Sequence, residues 1–185
     1  GSGVRTINHN LGVAPEMIWI KGRNATMSWI VYHASLGNDY VMRLEQTSAA
    51  SSGSSLYWNN TDPTSSVWTI NSNLNTSGRN YIAYLFASLD GVSKCGSFSH
   101  TNGSTTNVDC GFSNGSKLVI IKSTDVTGHW YLFDSVRGIV SGNENYLRIS
   151  LSNQQISADF IDPYSSGFAV YDAPTANYIF YAVAA

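Results

Sequence analysis

The apolar residues of this chain fall in short runs, and no stretch of twelve residues carries a helical period. The runs read MIWIK (17–21), WIVYH (29–33), YVMRL (40–44), SLYW (55–58), SVWTI (66–70) and YIAYLFA (81–87). They continue as LVIIK (118–122), WYLFD (130–134), NYLRIS (145–150), GFAVY (167–171) and YIFYAVA (178–184). Each is rich in β-branched and aromatic residues and is bounded by Gly, Pro, Asn, Asp or Ser, which is how strands read. Their spacing is the rhythm of sandwiches and barrels. Pro15, Pro63, Pro163 and Pro174 sit just outside the runs, where a missing N–H costs no ladder bond. A short helix near 34–40 or 135–142 is compatible with the pattern but not required by it.

Laid against itself, the chain shows a duplication. Residues 17–37 fall on 118–138 at an offset of 101, matching Ile20, Lys21, Thr26, Trp29 and Gly37 with Ile121, Lys122, Thr127, Trp130 and Gly138. YVMRL then meets NYLRI at an offset of 105, Asp62-Pro63 meets Asp162-Pro163 at 100, and Asn80-Tyr81-Ile82 meets Asn177-Tyr178-Ile179 at 97. Every change of offset lies in a polar stretch between runs, as loop insertions should. The expected fold is all-β: a duplicated β-sandwich of two pseudo-repeats, residues 1–90 and 91–185, packed either as one globule or as two domains.

Positions shared by the copies serve the fold. Trp29 and Trp130 read as core, and Lys21 and Lys122 as strand-end lysines that snorkel to water. Specificity should then live where the copies differ: Met27-Ser28 against Gly128-His129, His33 against Asp134, and Thr64 against Tyr164. The candidate ligand-binding residues are therefore His129, Tyr164 and His33. His129 follows a glycine in a turn, and Tyr164 follows Pro163 with an aromatic face to offer.

Asn102-Gly103 suits a two-residue type I′ hairpin, because both central residues there need positive φ. Such a hairpin sets Cys95 opposite Cys110, within reach of a disulfide. The alternative is two separate buried thiols acting as small hydrophobes.

Charged residues are only 12% of the chain, and polarity comes instead from 27 Ser and 17 Asn. The net charge is −2 and the ten cations are scattered, which argues against a nucleic-acid footprint or a polybasic membrane patch. No apolar run is long enough to span a bilayer as a helix. The opening Gly1-Ser2-Gly3 lacks the regions of a signal peptide and reads as a tag scar or a native loop, and the chain as a fragment of something longer. His9, His33, His100 and His129 form no metal-ligand spacing, and no nucleophile elbow or phosphate loop occurs. No cofactor, metal or catalytic residue is expected. Asn-x-Ser/Thr at Asn24, Asn59, Asn75, Asn102 and Asn114 reflects composition.

Certain motifs taken in order carry a resemblance. They are HNLGVAPEMI (9–18), WIVYHASLG (29–37), WNNTDPTSSV (58–67), YIAYLFA (81–87), DCGFSNG (109–115) and IKSTD (121–125). The series resembles a duplicated domain of uncharacterised activity found in tail-fibre and other virion structural proteins of marine and cyanobacterial phages. Cys95 departs from it, standing where an apolar residue is expected. The resemblance implies a virion location and a tail-fibre or adhesin module that attaches to a host-surface glycan or protein receptor. Its other partners would be virion proteins, in a homotrimer of the parent particle. It brings no site residues. A capsid or tail decoration protein without a ligand is the alternative, and a glycan-degrading enzyme a more distant one.

Overall fold

The computed structural model describes residues 3–185; Gly1 and Ser2, on which the tag-or-loop question partly rests, lie outside the described residues. It is nearly all β and divides into two units, residues 3–44 with 50–87, and residues 45–49 with 88–185.

The strands of the first unit are β1 (Arg5–Asn8), β2 (Met17–Gly22), β3 (Ile30–His33), β4 (Tyr40–Arg43), β5 (Ser51–Ser52), β6 (Val67–Ile70) and β7 (Tyr81–Phe86). They form a five-stranded sheet of order β5-β4-β3-β2-β7 and a pair β1-β6. Alternation along β2 turns Ile18 and Ile20 inward, where they join Ile30, Tyr32 and Val41 with Trp68 and Ile70 of β6 in one core.

The second unit contains β8 (Ser93–His100), β9 (Thr106–Asp109), β10 (Ser116–Ser123), β11 (Trp130–Asp134), β12 (Glu144–Arg148), β13 (Ile156–Ala158), β14 (Ile161–Tyr164), β15 (Gly167–Val170) and β16 (Ala176–Ala184). Its six-stranded sheet runs β13-β12-β11-β10-β16-β8, and a smaller sheet runs β14-β15-β9. Val119 and Ile121 of β10 pack with Phe133, Tyr146, Phe160 and Phe168 in a more aromatic core.

Several expectations are corrected. SLYW is not a strand but a one-turn helix, Ser55–Trp58, ended by Asn59 and Asn60, both at positive φ. One helical turn buries Trp58, whose Nε1 donates to the Tyr40 carbonyl, and leaves Leu56 outside. The segments near 34–40 and 135–142 are turns rather than helices. Pro163 lies inside β14, opposite Phe168, but β14 is an edge strand and needs no ladder donor on its outer side.

The Cys95–Cys110 hairpin does not form. β8 pairs along β16, placing Cys95 against Tyr181, and β9 pairs with β15 in the other sheet. At the intervening turn Ser104 N–H donates to Thr101, and Gly103 but not Asn102 has positive φ, so type I′ geometry is absent. Both cysteines are buried thiols with no disulfide between them. Burial pushes the Cys110 thiol up to about 12, with Asp109 adding to the rise.

The strand-end lysines do not snorkel. Lys122 is fully buried, and its ammonium donates to the carbonyls of Gly128 (2.9 Å) and Thr47 (3.2 Å). Lys21 donates in the same way to the Met27 carbonyl and lies 5.8 Å from the centre of the Trp29 ring. Trp130 is buried as expected, whereas Trp29 is half-buried beside that lysine.

Burial lowers the Lys122 pKa from the ordinary 10.5 to about 8. Between those values the unfolded chain holds the proton and the folded chain does not. The charge penalty is full below pH 8 and fades as pH rises toward the ordinary value. Chemical denaturation of wild type and Lys122→Met across pH 7 to 10.5 should show wild type gaining relative to the variant. The expected gain is on the order of 3 kcal/mol. A constant difference across that range would show that the ammonium is not strained by burial.

Candidate functional site

The differing positions singled out above behave in three ways. His33 is buried, and its Nδ1 accepts from the Ser35 N–H, closing the turn that ends at Gly37. Asp134 does the same work: its Oδ1 accepts from Val136 N–H (3.1 Å) and Arg137 N–H (2.9 Å), and Gly138 N–H bonds back to its carbonyl. An imidazole and a carboxylate thus cap one kind of turn. His33 is buried in the turn it caps.

Met27 and Gly128 also compensate. A Cβ on Gly22 would come within 2.7 Å of the Met27 sulfur, and a Cβ on Gly128 within 2.5 Å of the Ser123 hydroxyl. One unit combines Gly22 with Met27 and the other Ser123 with Gly128, so large and small side chains exchange places across one contact. His129 beside it is half-buried, with Nδ1 2.8 Å from the Ser150 hydroxyl and its ring edge-on to Tyr131. Burial, followed by the nearby charges of Arg148 and Lys122, lowers its pKa and favours the neutral ring. Hydrogen bonding and ring packing therefore hold His129 in the fold.

Tyr164 is different. In the first unit Thr64 spends its hydroxyl on its own turn, accepting from Ser66 and Val67 N–H groups. Tyr164 instead lines an open groove of about 370 Å³ with Asn114, Ser135, Val140, Pro163 and Ser165. Gly115, at positive φ, passes so close that a Cβ would stand 3.0 Å from the Tyr164 carbonyl, and its N–H donates to Ser165. Ser116 Oγ donates to Gly167, tying the floor to the hairpin. No Asp, Glu, His, Lys or Arg lines this groove. His129 is not among its lining residues, so the structure does not assemble the three proposed residues into one site.

Two features had no signal in the sequence. A second cleft, of about 520 Å³, opens in the first unit between the β1-β6 pair and the β2-β7 end of the larger sheet. Arg5, Arg23 and Arg79 line it with no carboxylate among the lining residues, although they are far apart in the chain. Glu144 is the other: it is buried, and its Oε1 accepts from Phe160 and Ile161 N–H (3.0 and 3.1 Å), clamping the approach to β14. Burial raises its pKa against the pull of those bonds, and Oε2 has no hydrogen-bond partner. Among the described residues no group of three His, Cys, Asp or Glu side chains could hold a metal ion.

The compensated contact yields a test. Gly128→Ala should destabilise the fold by about 1–3 kcal/mol through the clash with Ser123. Adding Ser123→Gly should restore about half or more of the loss, which thermal melts of the single and double variants would reveal. Additive losses would show that the two positions are independent.

No curated protein and no solved structure matches the chain. A family model described as a domain of unknown function matches residues 1–185. The chain belongs to that family, Domain of unknown function (DUF7483).

Proposed function

We propose that this domain is a duplicated β-sandwich module of a phage virion, a tail-fibre or adhesin domain that attaches to host-surface glycan through the Tyr164 groove. The duplication is supported by strand pairing. The pair Ile30↔Arg43 becomes Tyr131↔Arg148 when the sequence offsets of 101 and 105 are applied. Met17↔Phe86 becomes Leu118↔Val183 through 101 and 97, and Arg5↔Ile70 becomes Thr106↔Val170 through 101 and 100.

The observation that carries the glycan reading is the chemistry of the groove. A tyrosine stands beside an amide and hydroxyls, with no ionised side chain on the lining. A sugar offers an apolar ring face to an aromatic and hydroxyls to neutral hydrogen-bonding groups. Placing the groove where the first unit has only a turn-closing threonine fits a specificity element added to one copy of a shared scaffold. Single sites of this shallow kind bind weakly, and a trimeric parent particle would multiply them by avidity.

A host-glycan array probed with wild type and with Tyr164→Thr, the residue of the other copy, tests the reading. Wild type should bind host polysaccharide, and the variant should bind at least about fivefold more weakly at an unchanged melting temperature. Flat arrays across susceptible hosts would overturn the adhesin reading in favour of a decoration protein. Released reducing ends would instead reveal an enzyme.

A further inference from the structure

We infer that the outer edge of β7, with the arginine-lined cleft beside it, accepts an extended acidic peptide strand that carries an aromatic side chain. The inference rests on the duplication reading and concerns a site distinct from the Tyr164 groove. In the second unit β16 is covered by β8 through eight pairs, from Ala176↔His100 to Val183↔Ser93. In the first unit β7 ends its sheet, and among the described residues no strand pairs on its far side. Its run Tyr81–Leu85 has no charge, proline or bulge to discourage pairing, the devices by which edge strands are usually guarded. Ile82 and Tyr84 remain 38% and 46% exposed.

The cleft is shaped for a side chain as well. Phe98 of β8 stacks on Tyr178 (5.1 Å, 9° between planes), meets Phe168 edge-on at 6.0 Å and lies 6.1 Å from Phe180. The offsets carry those three residues onto Tyr81, Trp68 and Ala83. All three line the cleft of about 520 Å³. The cleft is thus the seat of Phe98 without its occupant, enlarged where alanine replaces Phe180. In β8 a Cβ on Gly96 would meet the Phe180 ring at 2.7 Å; over Ala83 a strand is freed from that need for glycine.

Charge selects the occupant. Arg5, Arg23 and Arg79 of the open copy correspond to Thr106, Thr124 and Ala176 of the covered one. The cations therefore accompany the open seat, and an incoming strand with carboxylates flanking its aromatic residue would meet them. Main-chain bonds to β7 would supply affinity and the cleft would choose the side chain, the general logic of strand addition.

The probe is a synthetic peptide of residues 92–101 with Lys94→Ser, Cys95→Ser, Gly96→Glu and His100→Glu, which sets carboxylates on both sides of Phe98 and one at the position paired with Ala176, the counterpart of Arg79; it is titrated into the intact protein while backbone amide signals are followed. Saturable binding should shift β7 and the Arg5–Arg79 rim, and be about tenfold weaker for the peptide with Phe98→Ala. Arg79→Glu, on an exposed side chain, should also weaken it without lowering the melt. No saturation by millimolar peptide, or equal binding of the Phe98→Ala peptide, overturns the inference. So does binding of acidic oligosaccharide in place of the peptide. Hydrogen exchange on the free protein separates this from the reading beneath it. Fast exchange of the outward β7 amides with slow exchange along β16 keeps the duplication even if the peptide fails. Slow exchange along both removes the open edge and the inference with it.

Discussion

Each unit depends on one strand held from both sides. β2 lies between β3 and β7, and β10 lies between β11 and β16. A central strand cannot slip by one residue without turning its buried side chains to the wrong face. Ile18 and Ile20 in one unit, and Val119 and Ile121 in the other, fix which face is inward, and the neighbours inherit their register. A lysine closes each of these strands by binding the carbonyl six residues ahead. That bond holds the loop from β2 to β3, or from β10 to β11, to the strand that precedes it. An ammonium there is costly to bury, but carbonyls that would otherwise lack donors repay part of the cost.

How much of this was legible follows from how local the determinants are. The runs that became β2, β3, β4, β6, β7 and their later counterparts were readable because a strand packed on a core writes its own apolar pattern. SLYW misled because four residues can satisfy either period, and only the contact of Trp58 with Tyr40 decides. Asn102-Gly103 misled because the dipeptide describes a turn and not its partners: β8 gains more by covering the aromatic face of β16 than by folding onto β9. Lys122 looked like a surface residue because burial of its head depends on the distant Thr47 carbonyl. Tyr164 stood out by its mismatch with Thr64, and the structure places it on the lining of a groove. His33 and Met27 showed that such differences more often mark compensation, in which a changed pair does unchanged work.

The two units pair their matched strands alike and differ at their edges. The second unit is covered by an additional strand and built around a denser set of aromatic rings. The first unit ends its larger sheet at β7 among the described residues and gathers arginines around a gap, where the second unit places Phe98 and Phe180. The first unit closes a turn with Thr64, and the second opens a groove around Tyr164. The units thus differ at edges and turns, which tolerate change, while their central strands and strand-end lysines match.

Both units are expected to share one register, and interstrand NMR contacts read it directly. Cross-strand contacts are expected for Ile30 with Arg43 and for Tyr131 with Arg148. They are likewise expected for Arg5 with Ile70 and for Thr106 with Val170. Finding both members of each set supports a duplicated unit with one covered and one open edge. Pairs in either unit displaced by one residue, or present in one unit and missing from the other, would contradict it.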